Sequence, residues 1–340
     1  METHQLSSVG GFALIDLGAS AAAVGPARLG TKLLPSNATP YVRDITYGFG
    51  LIGAQLGGMT LGLKVDPADR AAAIEAVAAE LSADLGSGRF RLDAGLRMPA
   101  SALAPFATAD PRPASRLEAH GNVDLMAHLD ALGILASAEN LLDSLEGKSV
   151  SIEGLGPTVA ATVAMFAAAG ATFVRCGVKK TCVEGDLDPQ DLAAAVISGE
   201  EALGSLGHTA KPWSLWKPDV DLVIAGSAVG VVSDAAATLL GDTPIVGYGT
   251  APIATKALAS SMKAGGSIVP SFLSTLGRRV ADSADTDATA EQLITTTGAK
   301  LSDALDVAFA HDRGPFLGAC IAAEEFIGTW NDPPFGRPLA

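Results

Sequence analysis

The chain is 340 residues long, 48% hydrophobic and 18% charged, which is enough to bury a substantial core and suits two domains better than one. Thirty-seven acidic against 23 basic residues give a formal charge of -14, which repels nucleic acid and anionic membrane surfaces and excludes both as expected partners. The three cysteines, Cys176, Cys182 and Cys320, form no C-x-x-C pair and the five histidines are scattered, so no metal site is expected and the usage suits a reducing cytoplasm.

The start, METHQLSSVGG, has no basic region followed by an apolar run and is not expected to be a secretory signal. Residues 45–63 and 154–174 carry no charged side chain, but Gly, Thr or Pro interrupts both, so soluble turns explain them better than a membrane span. Residues 68–86 place apolar side chains at helical spacing and end at Gly86, which predicts one amphipathic packing helix. Two prolines and small polar residues mark 106–115 as a loop. Residues 122–142, NVDLMAHLDALGILASAENLL, again read as a helix.

From 148 the pattern changes. KSVSIEGLGPTVAATVAMFAAAGATFVRCG predicts a β-branched strand, a Gly-x-Gly turn, an alanine-rich helix and a second strand. That order is the dinucleotide-binding βαβ arrangement, in which a glycine turn lets a phosphate approach the helix N-terminus. The runs 221–233, 243–250 and 266–272 predict further buried parallel strands, and 314–330 a last helix returning to the first domain. Trp213 and Trp216 read as a hydrophobic clamp on a connecting loop or, if they face solvent, as a partner surface.

With these motifs in order, the chain resembles the glutamate/leucine/phenylalanine/valine dehydrogenase family over about residues 10–330. AVGPARLGTKLLP (23–35) is similar to its Gly-Pro-x-x-Gly-Gly-x-Arg segment, and DITYGFGLIGAQLGGMTLGLKVDP (44–67) to its Met-Thr-Tyr-Lys through Gly-Gly-Gly-Lys segment. SLEGKSVSIEGLG (144–156), DLVIAGSAVGVVS and SIVPSFLSTLGRRV resemble later elements in the same order. The resemblance implies an α/β protein of two domains: an N-terminal substrate and oligomerisation domain (1–132) and a Rossmann-like doubly wound dinucleotide-binding domain (133–312), with 313–340 returning to the first. It also implies NAD or NADP in the second domain, a small-molecule substrate in a cleft, and homo-oligomers built through the first domain.

Carried over residue by residue, the family's functional groups mostly fail. Its substrate-binding lysine falls on Gly48, its catalytic lysine on Thr60, and its acid/base aspartate on Gly95, with Asp93 two residues away. A neutral hydroxyl cannot supply the ammonium that stabilises a developing oxyanion, where even one donor is worth about 3 to 4 kcal/mol. Thr60, Asp93 and Tyr47 are the remaining catalytic candidates, with His128 an alternative partner for Tyr47. On the cofactor side Gly154 and Gly156 stand, but the third glycine position is Val159 and the ribose-binding acid is replaced at Gly177. Pro157, Thr158, Lys179, Lys180, Ser227 and Thr275 complete the candidate cofactor set, and the cofactor-contacting threonine of the family falls on Met126. Lys179 and Lys180 read either as partners for the 2′-phosphate of NADP or as solvated charges on a domain that binds no dinucleotide.

Arg28, Lys32, Lys64, Arg278 and Arg279 offer cations for a carboxylate or phosphate, of which Lys32, Lys64 and Arg278 are the substrate-binding candidates. Three classes stay open. One is a divergent NAD(P)-linked oxidoreductase whose substrate is not a free amino acid. The second is a catalytically silent subunit forming a hetero-oligomer with an active paralogue. The third is a non-redox enzyme or small-molecule binder that uses the cleft without a cofactor.

Overall fold

The computed structural model describes residues 1–107, 109–332 and 336–340. The chain divides into two compact units, Met1–Arg112 with Ala323–Pro338, and Pro113–Ala322 with Leu339–Ala340.

In the first unit β1 (Glu2–Gln5), β2 (Gly11–Ile15) and β3 (Ala22–Leu29) precede helix α1 (Pro35–Leu51) and β4 (Leu56–Leu63). Helices α2 (Arg70–Glu80) and α3 (Ser82–Gly86) then lead to β5 (Phe90–Ala94). The sheet runs β1-β2-β4-β3-β5, with β3 parallel to both its neighbours and the β1–β2 and β2–β4 pairs antiparallel. Strand alternation shows how both faces are covered. On β2, Ala13 and Ile15 join a core with Ile74, Val77 and Leu85 of α2 and α3, whereas Phe12 and Leu14 pack with Ala38 and Val42 of α1.

The helix expected over 68–86 is two helices, because the chain turns at Leu81 (φ -93, ψ 13). Just before the turn, the Glu80 carboxylate accepts the backbone N–H and the hydroxyl of both Ser7 and Ser8, at 2.5 to 2.9 Å. These bonds tie the β1–β2 connection to the end of α2. They also hold the Glu80 pKa down at about 2, the Ser7 backbone bond contributing most.

Glycines let α1 lie directly on the sheet. A Cβ on Gly58 would sit 1.9 Å from the Val42 carbonyl oxygen of α1, a backbone atom that cannot step aside. Thr46 of α1 accepts the Gly58 N–H at 2.9 Å and donates to Val42 O at 3.1 Å, so helix and strand share one buried hydroxyl.

The second unit opens with the short hairpin β6 (Ala119–His120) and β7 (Val123–Asp124) and helix α4 (Leu125–Leu142), which Asp124 caps by accepting from Ala127 N. Strand β8 (Ser149–Glu153), helix α5 (Pro157–Ala168) and strand β9 (Thr172–Val178) form the expected βαβ unit. Then come β10 (Thr181–Leu187), α6 (Pro189–Ser198), α7 (Glu200–Gly204), β11 (His208–Ala210), β12 (Leu222–Ala225), α8 (Asp234–Leu240), β13 (Ile245–Gly247), α9 (Thr255–Ala264) and β14 (Ile268–Val269). Helices α10 (Ser271–Ser274), α11 (Leu276–Ser283), α12 (Ala290–Phe309) and α13 (Pro315–Ile327) end the fold, and the last turns of α13 count with the first unit.

The seven-stranded sheet is ordered β11-β10-β9-β8-β12-β13-β14, parallel from β9 to β14 and antiparallel at β9–β10 and β10–β11. This is the α/β, Rossmann-like doubly wound arrangement. The run expected as one strand over 221–233 is strand only at 222–225, because the backbone N–H groups of Gly226 and Ser227 leave the ladder for the Glu153 carboxylate. Trp213 and Trp216 lie in a 3-10 turn (Pro212–Trp216), where Trp213 is 51% exposed and Lys217 Nζ stands 5.8 Å from its ring centroid. Among the described residues no helix is long and apolar enough to cross a membrane.

The close helix–strand contact makes Gly58→Ala costly: it should lose about 1 to 3 kcal/mol in a denaturant melt, as overpacking against rigid backbone does. Gly86→Ala, where nothing lies within 4 Å of the added carbon, should be neutral or stabilising. Because the folded pKa of Glu80 lies below its ordinary value of 4.5, its contribution is complete above about pH 4.5 and is lost as pH falls toward about 2. Glu80→Gln should therefore flatten the acid limb of the stability curve over that interval.

Candidate functional site

In the first unit each catalytic candidate is bound into the scaffold. Pro26 lies in β3, an interior strand, where it has no N–H to give the ladder. Thr60, opposite on β4 and fully buried, donates its hydroxyl to Pro26 O at 2.9 Å. Tyr47, buried on α1, donates to Glu324 Oε1 at 2.9 Å. Glu324 also receives Arg337 Nε and Nη2, at 2.9 and 3.1 Å. Burial works to raise the Glu324 pKa, but the Arg337 and Tyr47 bonds outweigh it and hold it below the usual range.

Asp93 accepts Arg112 Nη1 at 2.7 Å, and the same guanidinium, with a fully buried side chain, holds Asp110 and the Leu92 carbonyl. Tyr47, Asp93 and Thr60 thus have three different partners. Gly48 is buried within α1, and Gly95 follows the end of β5. Arg28 lies 5.1 Å over the Tyr41 ring and Lys64 5.8 Å over the Phe12 ring. Arg28, Lys32 and Thr60 line a small pocket of about 110 Å³ with Phe12 and Asn37.

In the second unit the candidates gather at the C-terminal edge of the sheet. Glu153 at the end of β8 pairs in register with Gly177 of β9 and Ala225 of β12, so the Gly154–Gly156 turn, the Lys179–Lys180 hairpin tip and Ser227 share that edge. Both lysines are exposed, and Lys179 takes a left-handed φ of 51. Gly154 and Gly156 have φ of 130 and 102, which glycine alone adopts readily. Ser227, itself exposed, donates its hydroxyl to Glu153 Oε1, while Glu153 Oε2 accepts the N–H groups of Gly226 and Ser227 at 3.0 and 2.9 Å.

Thr158 and Arg278 meet at Asp130 of α4. Arg278 Nη2 donates to Asp130 Oδ2 at 2.5 Å and Thr158 Oγ1 lies 3.4 Å from the same oxygen, while Oδ1 is buried without a hydrogen bond. Burial pushes the Asp130 carboxyl upward against the pull of Arg278. Arg279 pairs with Asp282, Thr275 donates its buried hydroxyl to Ser271 O at 2.7 Å, and Met126 packs in an apolar cluster with Leu125 and Leu129. His128 stacks on His120, with ring centroids 4.1 Å apart. A groove of about 1080 Å³ along α5 and α6 is lined by His120, His128 and alanines and includes none of the candidate cofactor residues.

A dinucleotide's pyrophosphate needs free N–H groups at the turn and the start of α5. Gly154 N–H is given to Gly177 O and Gly156 N–H to Val196 O, each at 2.9 Å, and Pro157 has none. At these three positions the turn therefore offers a pyrophosphate no backbone donor.

Sequence reasoning missed four residues that shape these sites: Arg112, Glu324, Glu153 and Tyr248. Glu153 alone carries a local signal, an acidic side chain closing an apolar strand next to the glycine turn. Arg112→Met removes a buried guanidinium that pairs with both Asp93 and Asp110, so it should lower unfolding free energy by about 3 to 5 kcal/mol. Asp93→Asn should cost about 1.5 to 3 kcal/mol by denaturant melting, where a free cleft aspartate would cost nothing.

No protein-family model matches the sequence, and no curated protein does. Solved structures do. A hetero-hexameric glutamate dehydrogenase from Thermus thermophilus, in a leucine-bound form, superposes with a TM-score of 0.77 at 19% identity, covering 93% of this chain and 83% of that one. A point mutant of a glutamate dehydrogenase gives 0.74 at 17% identity, over 94% and 81%. The Plasmodium falciparum enzyme gives 0.74 at 13% identity, over 94% and 79%. This agreement over nearly the whole chain bears out the family resemblance at the level of architecture: the protein has the two-domain glutamate dehydrogenase fold.

Proposed function

We propose that this chain is a catalytically silent subunit built on the glutamate dehydrogenase fold, which assembles with an active paralogue. The observation that carries this reading is that Thr60, Tyr47 and Asp93 are each engaged by a protein partner, while Gly48 stands where the family resemblance implies a substrate lysine. Imine chemistry needs a cation for the developing oxyanion and a carboxylate free to move a proton, and losing one such donor alone costs about 10² to 10³ in rate. The structural neighbour described as hetero-hexameric supports an assembly of unlike subunits on this fold. A divergent NAD(P)-linked oxidoreductase is the competing reading, and it requires nicotinamide binding and turnover of some carbonyl or amine.

Coexpression with an active glutamate dehydrogenase from the same genome, followed by native mass spectrometry, is the test. Mixed hexamers are expected. Oxidation of glutamate, leucine, phenylalanine or valine by the purified chain alone, at a normal enzymatic rate of about 1 to 10³ per second, would overturn the reading.

A further inference from the structure

Three loops meet over the glycine turn of the second unit, and their contacts are made by this chain's own side chains. Tyr248, just beyond β13, is buried and donates its hydroxyl to the Glu153 carbonyl oxygen at 2.7 Å. That hydroxyl lies so close to the turn that a Cβ on Gly154 would fall 1.8 Å from it. The Tyr248 backbone in turn packs on Gly226, where an added Cβ would meet the Tyr248 carbonyl oxygen at 2.1 Å. Beneath them the Glu153 carboxylate, 2% exposed, gathers Gly226 and Ser227. Burial first, then the neighbouring Glu153, raises the Tyr248 pKa well above its ordinary value, so the phenol stays a neutral donor at physiological pH.

We propose that the dinucleotide turn is closed by the chain itself: the Tyr248 phenol rests on Gly154, and the Glu153 carboxylate puts negative charge where a pyrophosphate would bring more. Val196 O, from the last turn of α6, takes the Gly156 N–H, and Pro157 removes the next donor. A ligand entering here would have to displace a hydrogen-bonded aromatic ring, approach a buried carboxylate and manage without backbone donors at Gly156 and Pro157. Each of these opposes a phosphate, and together they set this edge apart from one that merely lacks a ribose-binding acid at Gly177.

The test is NADH and NADPH binding, followed by nicotinamide fluorescence and by thermal melting of the full chain. The wild-type protein is expected to show neither a fluorescence change nor a melting shift up to millimolar cofactor. The variant combining Tyr248→Gly, Glu153→Gln and Pro157→Asn is expected to bind at least one of the two, with an apparent Kd at least about tenfold lower than any wild-type limit. Tyr248→Phe keeps the ring and should stay closed. Micromolar binding by the wild type would overturn the proposal without any variant. A triple variant that melts cooperatively and still binds neither cofactor would overturn it as well; should that variant fail to fold, Pro157→Asn with Tyr248→Ala is read by the same criterion. The inference rests on the second unit alone, so wild-type binding would remove it and leave the subunit reading to the assembly experiment.

Discussion

A buried carboxylate must be met by donors, and the second unit is organised around meeting one. Glu153 ends the central strand β8 at 2% exposure, where an unsatisfied charge would be prohibitive. Its donors are the Ser227 hydroxyl and the backbone N–H groups that follow β12, and the chain leaves the ladder at Gly226 to turn toward the carboxylate. Tyr248 then finds its acceptor in the Glu153 carbonyl and lies across Gly154. One residue thus ties two loops together: its side chain holds the end of β12 and its main-chain carbonyl holds the Tyr248 cover over the glycine turn. In a dinucleotide-binding edge those same backbone positions stay open to a ligand.

The glycine run of the first unit has an equally physical explanation that owes nothing to catalysis. Gly58 leaves room for the backbone of α1 to rest on β4, and Thr46 uses that proximity to bond both elements with one hydroxyl. Close approach of helix and strand demands the missing Cβ whether or not chemistry takes place nearby.

How much of this is legible in the sequence depends on range. The βαβ unit announces itself through local pattern, a β-branched strand, Gly-x-Gly and an alanine-rich helix, and the structure places it at β8, α5 and β9. Helix α4 is legible for the same reason. The run 221–233 reads as too long a strand because nothing within it shows that Glu153, more than 70 residues earlier, captures Gly226 and Ser227. Arg112 sits in a proline-rich loop that reads as solvent-facing, yet its guanidinium is fully buried between Asp93 and Asp110. The partner of Tyr47 lies 277 residues away at Glu324. Periodicity reports which face of an element is buried; it is silent about which distant charge meets a buried polar group.

Those long-range partners bear on what kind of protein this is. Working sites commonly keep polar groups underbonded or strained at some cost to the fold, since a group already satisfied by the scaffold has little left to offer a substrate. In the first unit the bias runs the other way. Thr60 donates to the Pro26 carbonyl, Tyr47 links α1 to the C-terminal segment through Glu324 and Arg337, and Asp93 balances a guanidinium shared with Asp110. Asp130, in the second unit, is the contrasting case, with one oxygen paired to Arg278 and the other buried without a bond. In the first unit the candidate catalytic groups are bonded to structural partners, the bonding pattern of a scaffold, and the proposed role in assembly rests on that pattern.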